Sequence, residues 1–157
     1  MRILGIDPGT TRIGFGVIES VQNRFTVLDY GIISTPGKNR ALDYKLISGD
    51  LSKLISVYKP DRAGVEKLFF SKNQKTVMSV AEARGVIMLT LASHGIPIME
   101  PTPQQVKQAV SSYGKADKSQ VQRMVRLVLS IKEDIKPDDA ADALAIAICA
   151  ANNTLTS

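Results

Sequence analysis

Apolar residues alternate with polar ones early in the chain and recur at helical spacing later, and this change of period divides the chain into elements. Ile3, Leu4 and Ile6 form a short apolar run that reaches Asp7 and is broken at once by Pro8-Gly9, the pattern of a buried strand with a turn at its tip. Over residues 11–19, Ile13, Phe15 and Val17 alternate with Arg12, Gly14 and Gly16, and residues 25–34 are similarly rich in apolar β-formers. Two more strands fit, joined near Gln22-Asn23, and three strands with short connections predict an antiparallel meander. Pro36-Gly37-Lys38-Asn39 breaks the pattern, after which Leu42, Leu46, Ile47, Leu51, Leu54 and Ile55 recur as an amphipathic helix up to Lys59-Pro60.

Ala63 and Val65 lead to Glu66 in a fourth strand, and a right-handed crossover through the preceding helix lays it parallel to a neighbour. A long helix is expected over residues 73–94, with Asn73 as its cap and Gly95 as its stop. Residues 96–99 read as a fifth strand. Pro101-Thr102-Pro103 opens a helix through Val110, Asp117 is a natural N-cap for a helix over residues 118–129, and a last helix covers residues 137–151. The expected fold is α/β: a five-stranded mixed sheet, three antiparallel strands then two parallel, flanked by helices. One domain over residues 1–152 and a flexible tail at 153–157 follow from this pattern.

A chain of 157 residues, 44% of them hydrophobic, is long enough to bury one full core. Its single cysteine, Cys149, excludes an intrachain disulfide and a cysteine-based zinc site, and the apolar run around it predicts a buried thiol. The N-terminus lacks a signal-peptide apolar core, and no apolar run approaches the roughly 20 residues of a membrane span, so a soluble, cytoplasmic protein is expected. The net charge of +5 points to a polyanionic partner. Lys107, Lys115, Lys118, Arg123 and Arg126 face only Asp117 between Pro101 and Arg126, a local charge of +4.

The acids carry the chemistry. Asp7 and Glu66 each stand at the end of a strand, and parallel strands bring those ends to the same edge, where open sheets place ligands. Asp139 and Asp142 are three apart on one helix and share a face. Asp138 suits capping and the helix dipole, although the roles of Asp138 and Asp139 could be exchanged. Four carboxylates brought together repel one another strongly unless cations join them. Oxygen ligands without a His or Cys cluster favour Mg²⁺, with Mn²⁺ as a substitute. Two such ions about 4 Å apart can activate a water and stabilise a leaving 3′ oxygen in phosphodiester hydrolysis. The basic stretch suits a nucleic-acid backbone as the matching substrate. Lys107, Lys115 and Lys118, in or beside helix starts, suit phosphate contacts. Phe69 and Phe70 beside Lys67 and Lys72 suit base stacking next to phosphates, with at least one phenylalanine expected to plug the core.

These residues carry a resemblance. Ile3-Leu4-Gly5-Ile6-Asp7-Pro8-Gly9, Val65-Glu66-Lys67-Leu68-Phe69 with Lys72-Asn73, Ala83-Arg84-Gly85, Gln105-Val106-Lys107-Gln108, Ala116-Asp117-Lys118-Ser119-Gln120-Val121 and Asp139-Ala140-Ala141-Asp142-Ala143-Leu144-Ala145 resemble the RuvC family of Holliday junction resolvases, within the RNase H-like superfamily. The resemblance implies an RNase H-like fold and a homodimer that binds four-way junction DNA and nicks two strands of like polarity, leaving ligatable ends. It implies Asp7, Glu66, Asp139 and Asp142 as catalytic acids and ligands of two Mg²⁺ ions, and Phe69 as the aromatic that stacks at the opened junction. Lys107 and Lys118 match basic residues important for activity. The helix over residues 73–94 matches the dimer-forming element, and a RuvA-RuvB branch-migration complex is the implied partner.

Three other readings compete. Asp7-Pro8-Gly9-Thr10-Thr11 also resembles the phosphate hairpin of sugar kinases and actin-like ATPases, but those need two lobes and this chain has room for one. A RuvX-like nuclease acting on structured RNA shares the opening turn. A non-catalytic junction-binding module would be weakened by four acids facing phosphates, which cation loading turns to use.

Overall fold

The computed structural model describes residues 1–69 and 74–152. β1 (Arg2–Asp7), β2 (Arg12–Val21) and β3 (Arg24–Ser34) form the predicted meander. Gln22 and Asn23 close the β2–β3 hairpin with φ of 48° and 62°, a two-residue turn whose left-handed backbone matches the twist of the flanking strands. α1 (Arg40–Tyr58), capped by the Asn39 side chain accepting from the Leu42 N–H, crosses to β4 (Arg62–Val65). β4 lies parallel to β1, as the crossover requires. α2 (Gln74–Ser93) then leads to β5 (Ile98–Met99), parallel to β4, which gives the sheet order β3-β2-β1-β4-β5.

α3 (Pro103–Ser111), α4 (Lys118–Val128) and α5 (Asp138–Asn152) complete the chain. Thr102 and Asp117 cap α3 and α4, each in a reciprocal box with the glutamine three residues on, Gln105 and Gln120. Gly95, with φ of 68°, ends α2 where the sequence places the stop. The expected Asn73 cap and the tail at 153–157 lie outside the described residues.

Three expectations need correction. The fifth strand is two residues rather than four, because the Ile96 N–H is spent on the Leu91 carbonyl at the end of α2 (3.0 Å) and Pro97 has no N–H to give. The apolar stripe of α1 is narrower than its sequence suggests. Ile47, Leu51 and Ile55 are buried but Leu42 and Leu46 are exposed, and the buried neighbour is Asp43, whose carboxylate accepts from the Gly37 N–H at 3.3 Å. Lastly, α2 over Lys75–Ser93 is long and apolar enough by composition to cross a membrane, with mean hydropathy 1.2. Here one stripe of it packs against the domain and the opposite side is exposed. Ala83, Ile87 and Leu91 are fully buried, while Arg40–Glu82 (3.2 Å), Ser48–Thr90 (3.0 Å) and Ser52–His94 (3.0 Å) tie it to α1.

Strand periodicity sorts the core into two layers. Leu4, Ile6, Ile13, Val17, Ala63 and Val65 face α1 and α2. Ile3 and Ile18 join α3, α4 and α5 on the other face. Gly5, Asp7, Gly14, Gly16, Gly64 and Glu66 share the side-chain parity of this second face. Both strand-end acids therefore point toward α5.

Candidate active site

Four glycines decide how close α5 can come. In register, Gly5 lies between Gly16 on β2 and Gly64 on β4, which leaves a trough across three strands. A Cβ on Gly5 would fall 2.0 Å from the Ala143 carbonyl oxygen, and one on Gly14 would fall 2.0 Å from the Asp139 carbonyl oxygen. Gly16 and Gly64 meet Leu144 and Ile146 at 2.7 and 2.9 Å. The alanines of α5 supply the other half of the fit: Ala140, Ala141, Ala143, Ala145, Ala147 and Ala150 are all buried. Helix backbone thus rests on strand backbone, and Gly14, the register partner of Asp7, sets the first turn of α5 beside that acid.

Asp7, Glu66 and Asp142 border one cavity of about 270 Å³, together with Lys107, Lys118, Val106 and Val121. The end of β4 is held in place from two sides. Arg84 donates from Nε to the Glu66 carbonyl at 3.0 Å while pairing with Glu100, and the Lys67 N–H donates to the Pro101 carbonyl at 2.9 Å. Asp139 turns to the neighbouring recess of about 730 Å³, where Arg12 pairs with it at 3.2 Å. Lys118 stands between the two spaces and reaches Asp138 at 3.3 Å and Asp142 at 3.5 Å. Asp138, in the first turn of α5, thus has its carboxylate engaged by Lys118.

The acids disturb one another. Burial, then repulsion from Asp142, Glu66 and Asp139, pushes the Asp7 carboxyl up to about 8 against the pull of Lys118. Burial and Asp142 push Glu66 up to about 7, opposed by Lys107. Asp142 is raised by burial, with Lys118 working against it, whereas the exposed Asp138 is lowered by its bond to Lys118. Burial alone would lower Lys118, but Asp142 and Asp138 outweigh it and hold the ammonium above its usual value. Among the described residues no three acids, histidines or cysteines close into a ready-made metal cage. The donor set still fits a hard divalent cation: half-buried carboxylate oxygens whose mutual repulsion two lysines do not cancel.

The structure therefore brings together Asp7, Glu66, Asp142, Lys107 and Lys118, and sets Asp139 one step aside on Arg12. Phe69 is 59% exposed and does not plug the core; Lys115 is exposed, and both stand outside these two cavities. Lys72 and Phe70 lie outside the described residues. Reading the sequence by its acids misses Arg12 and Arg84. Arg12 carries a signal, a charge directly after the Asp7 turn at the start of an apolar strand, while Arg84 sits mid-helix and is marked only by the Ala83-Arg84-Gly85 motif of the resemblance, which gives it no role.

Comparison with known proteins adds to this geometry. The model of the family described as crossover junction endodeoxyribonuclease RuvC matches residues 3–150, which includes all four acids and both cavity lysines. The chain belongs to the RuvC family. Two RuvC proteins named crossover junction endodeoxyribonuclease, from Halothermothrix orenii and Petrotoga mobilis, are 52% and 53% identical to it over 154 residues. The alignments cover 98% and 97% of this chain and 93% and 94% of theirs. The fold likewise matches Thermus thermophilus RuvC in complex with Holliday junction substrate, with a TM-score of 0.90 and 32% identity over 96% of this chain and 93% of that one. The five-stranded mixed sheet is thus the RNase H-like sheet of the RuvC family.

Proposed function

We propose that this chain is a structure-specific endodeoxyribonuclease that resolves four-way DNA junctions by paired symmetric nicks, in recombination and repair. The observation that carries the reading is one cavity in which Asp7, Glu66 and Asp142, from two strands and a helix, meet Lys107 and Lys118. Membership of the RuvC family supplies the junction as substrate class. In this reading the nuclease domain spans residues 1–152 and works in the cytoplasm.

Asp7, Glu66, Asp139 and Asp142 would hold two Mg²⁺ ions, with Mn²⁺ able to replace them. Bound there, such ions supply an activated water and stabilise the leaving 3′ oxygen. The chain's own groups do the rest. Lys107 and Lys118 offset the charge of a phosphodiester entering a pocket of acids. The apolar wall of Val106 and Val121 keeps the local dielectric low, which strengthens each charge interaction with the scissile group. Arg84, by fixing the Glu66 carbonyl, holds that carboxylate at its strand end. Phe69, exposed beside the site on the chain that follows Glu66, is free to stack on a base of an opened junction. Lys72 and Lys115 would add backbone contacts.

A homodimer through α2 would offer one pocket to each of two strands. Support for it comes from the exposed apolar side of α2. Met78 and Leu89 are 67% and 69% exposed, and between them a Cβ on Gly85 would meet nothing within 4 Å, so no packing among the described residues calls for glycine at this helix-interior position. A RuvA-RuvB branch-migration complex is the partner the family implies.

Labelled four-way junctions, with and without Mg²⁺, test the reading beside a structured RNA of similar size. Junction DNA cut into nicked duplexes only with Mg²⁺, and RNA left whole, is the expected result. Cleavage of the RNA with the junction intact would replace the reading with the RNA-directed one.

A further inference from the structure

Arg12 lines the larger recess, which Lys118 joins to the cavity of Asp7, Glu66 and Asp142. The turn after Asp7 fixes its backbone: a Cβ on Gly9 would fall 2.0 Å from the Arg12 carbonyl oxygen, and the Thr11 carbonyl accepts from the Thr35 N–H at 2.9 Å. From this fixed point the guanidinium reaches Asp139 Oδ2 at 3.2 Å, with side-chain exposures of 54% and 36% for the pair. A half-exposed ion pair is weak, so either partner leaves it at little cost. Arg12 shares the 730 Å³ recess with Thr10, Thr11, Thr76, Lys118 and Lys136. Three cations and three hydroxyls outnumber the two carboxylates, Asp138 and Asp139, that line the same recess, and a guanidinium released from Asp139 offers a phosphate two parallel N–H donors.

A divalent cation on the Asp139 carboxylate offsets the negative charge that holds Arg12 there, and its own charge repels the guanidinium. We propose that Arg12 exchanges partners: it neutralises Asp139 until a cation takes that carboxylate, then grips a backbone phosphate of the strand lying in the recess beside the scissile position. The proposal rests on the nuclease reading and adds to it a residue that couples cation loading to strand binding. Both parts have a definite sign. Removing the positive charge removes a competitor for Asp139, and it removes a phosphate contact.

Arg12→Gln and Arg12→Lys test it, each checked for an unchanged melting temperature. Mg²⁺ binding is measured by titration calorimetry without DNA, and junction binding by anisotropy across a salt series, with Ca²⁺ in place of Mg²⁺. For Arg12→Gln the expected results are Mg²⁺ binding about twofold to fivefold tighter, and junction binding about threefold to tenfold weaker with a salt slope shallower by about 1. Arg12→Lys should stay within about twofold of wild type in Mg²⁺ binding, since it keeps the charge, and should bind the junction more weakly than wild type but with an unchanged salt slope, since an ammonium lacks the two-donor fork. Unchanged or weaker Mg²⁺ binding by Arg12→Gln, or an unchanged junction affinity, overturns the exchange. Wild-type cleavage of the junction, run alongside, separates the two readings: an active wild type with an indifferent Arg12→Gln removes the exchange alone.

Discussion

On one face the sheet offers Gly5, Gly16 and Gly64 in a row, and α5 settles onto them backbone against backbone; on the other, Leu4, Ile6, Val17 and Val65 hold α1 and α2 off at ordinary side-chain distance. The large aliphatics facing α1 and α2 give non-directional burial that tolerates small shifts. The glycine face gives a contact that tolerates almost none, since carbonyl oxygens stand where a methyl group would go. All four acids sit at the end of that rigid contact. Precision of position, which a coordination site needs, is concentrated on the face with the least side-chain volume.

The contrast between the faces breaks most completely at the acids. Asp7→Asn keeps the shape of the pocket and removes one negative oxygen, so junction cleavage in Mg²⁺ should fall by about 10³-fold or more, roughly 4 kcal/mol of barrier. Retained cleavage would take Asp7 out of the chemistry. Next in size is the trough. Gly5→Ala places a methyl group 2.0 Å from the Ala143 carbonyl oxygen and 2.5 Å from the Ala147 nitrogen, neither of which can move without its helix. A loss of about 2–4 kcal/mol in urea unfolding is expected. A cost below about 0.5 kcal/mol would show that α5 yields easily.

A pH series sharpens the same contrast. Asp7 and Glu66 hold their protons in the folded chain up to about 8 and 7, whereas in the unfolded chain they lose them near their ordinary values of 3.8 and 4.5. The folded state binds more protons between those limits, so without divalent ions these two groups make stability fall as pH rises from about 4 to 8. Melting temperatures in a chelator should therefore decline across that window for wild type and less steeply for Asp7→Asn. A wild-type curve no steeper than the variant's would contradict the crowding of acids. The smallest effect belongs to the outer side of α1, away from both faces of the sheet. A methyl group on the exposed Gly49 would meet nothing within 4 Å among the described residues, so Gly49→Ala should stabilise the fold by about 0.5–1 kcal/mol by equilibrium unfolding. Destabilisation there would mean that this side of α1 is not open.

Much of this was legible without coordinates because it depends on local chemistry. The Asp7 and Glu66 strand ends, the helix opening at Pro101-Thr102-Pro103, the cap at Asp117, the Gln22-Asn23 turn and the stop at Gly95 follow from residue types at short spacing, and each stands where the pattern puts it. The short fifth strand was not legible, since it turned on which carbonyl would take the Ile96 N–H. Nor was the exposure of Leu42 and Leu46, because helical spacing says which residues share a stripe but not how wide a stripe the sheet will cover.

The division at the site has the same cause. Sequence alone determined that acids would end two strands and open the last helix, since β parity and the three-residue helical repeat are properties of the backbone. Only the folded chain decided how those acids divide. Asp142 joins Asp7 and Glu66, Asp139 goes to Arg12, and Lys118 stands between, because the height and rotation of α5 over the sheet are set by glycines on other strands. Contacts between residues more than a hundred positions apart leave no periodic trace in the chain.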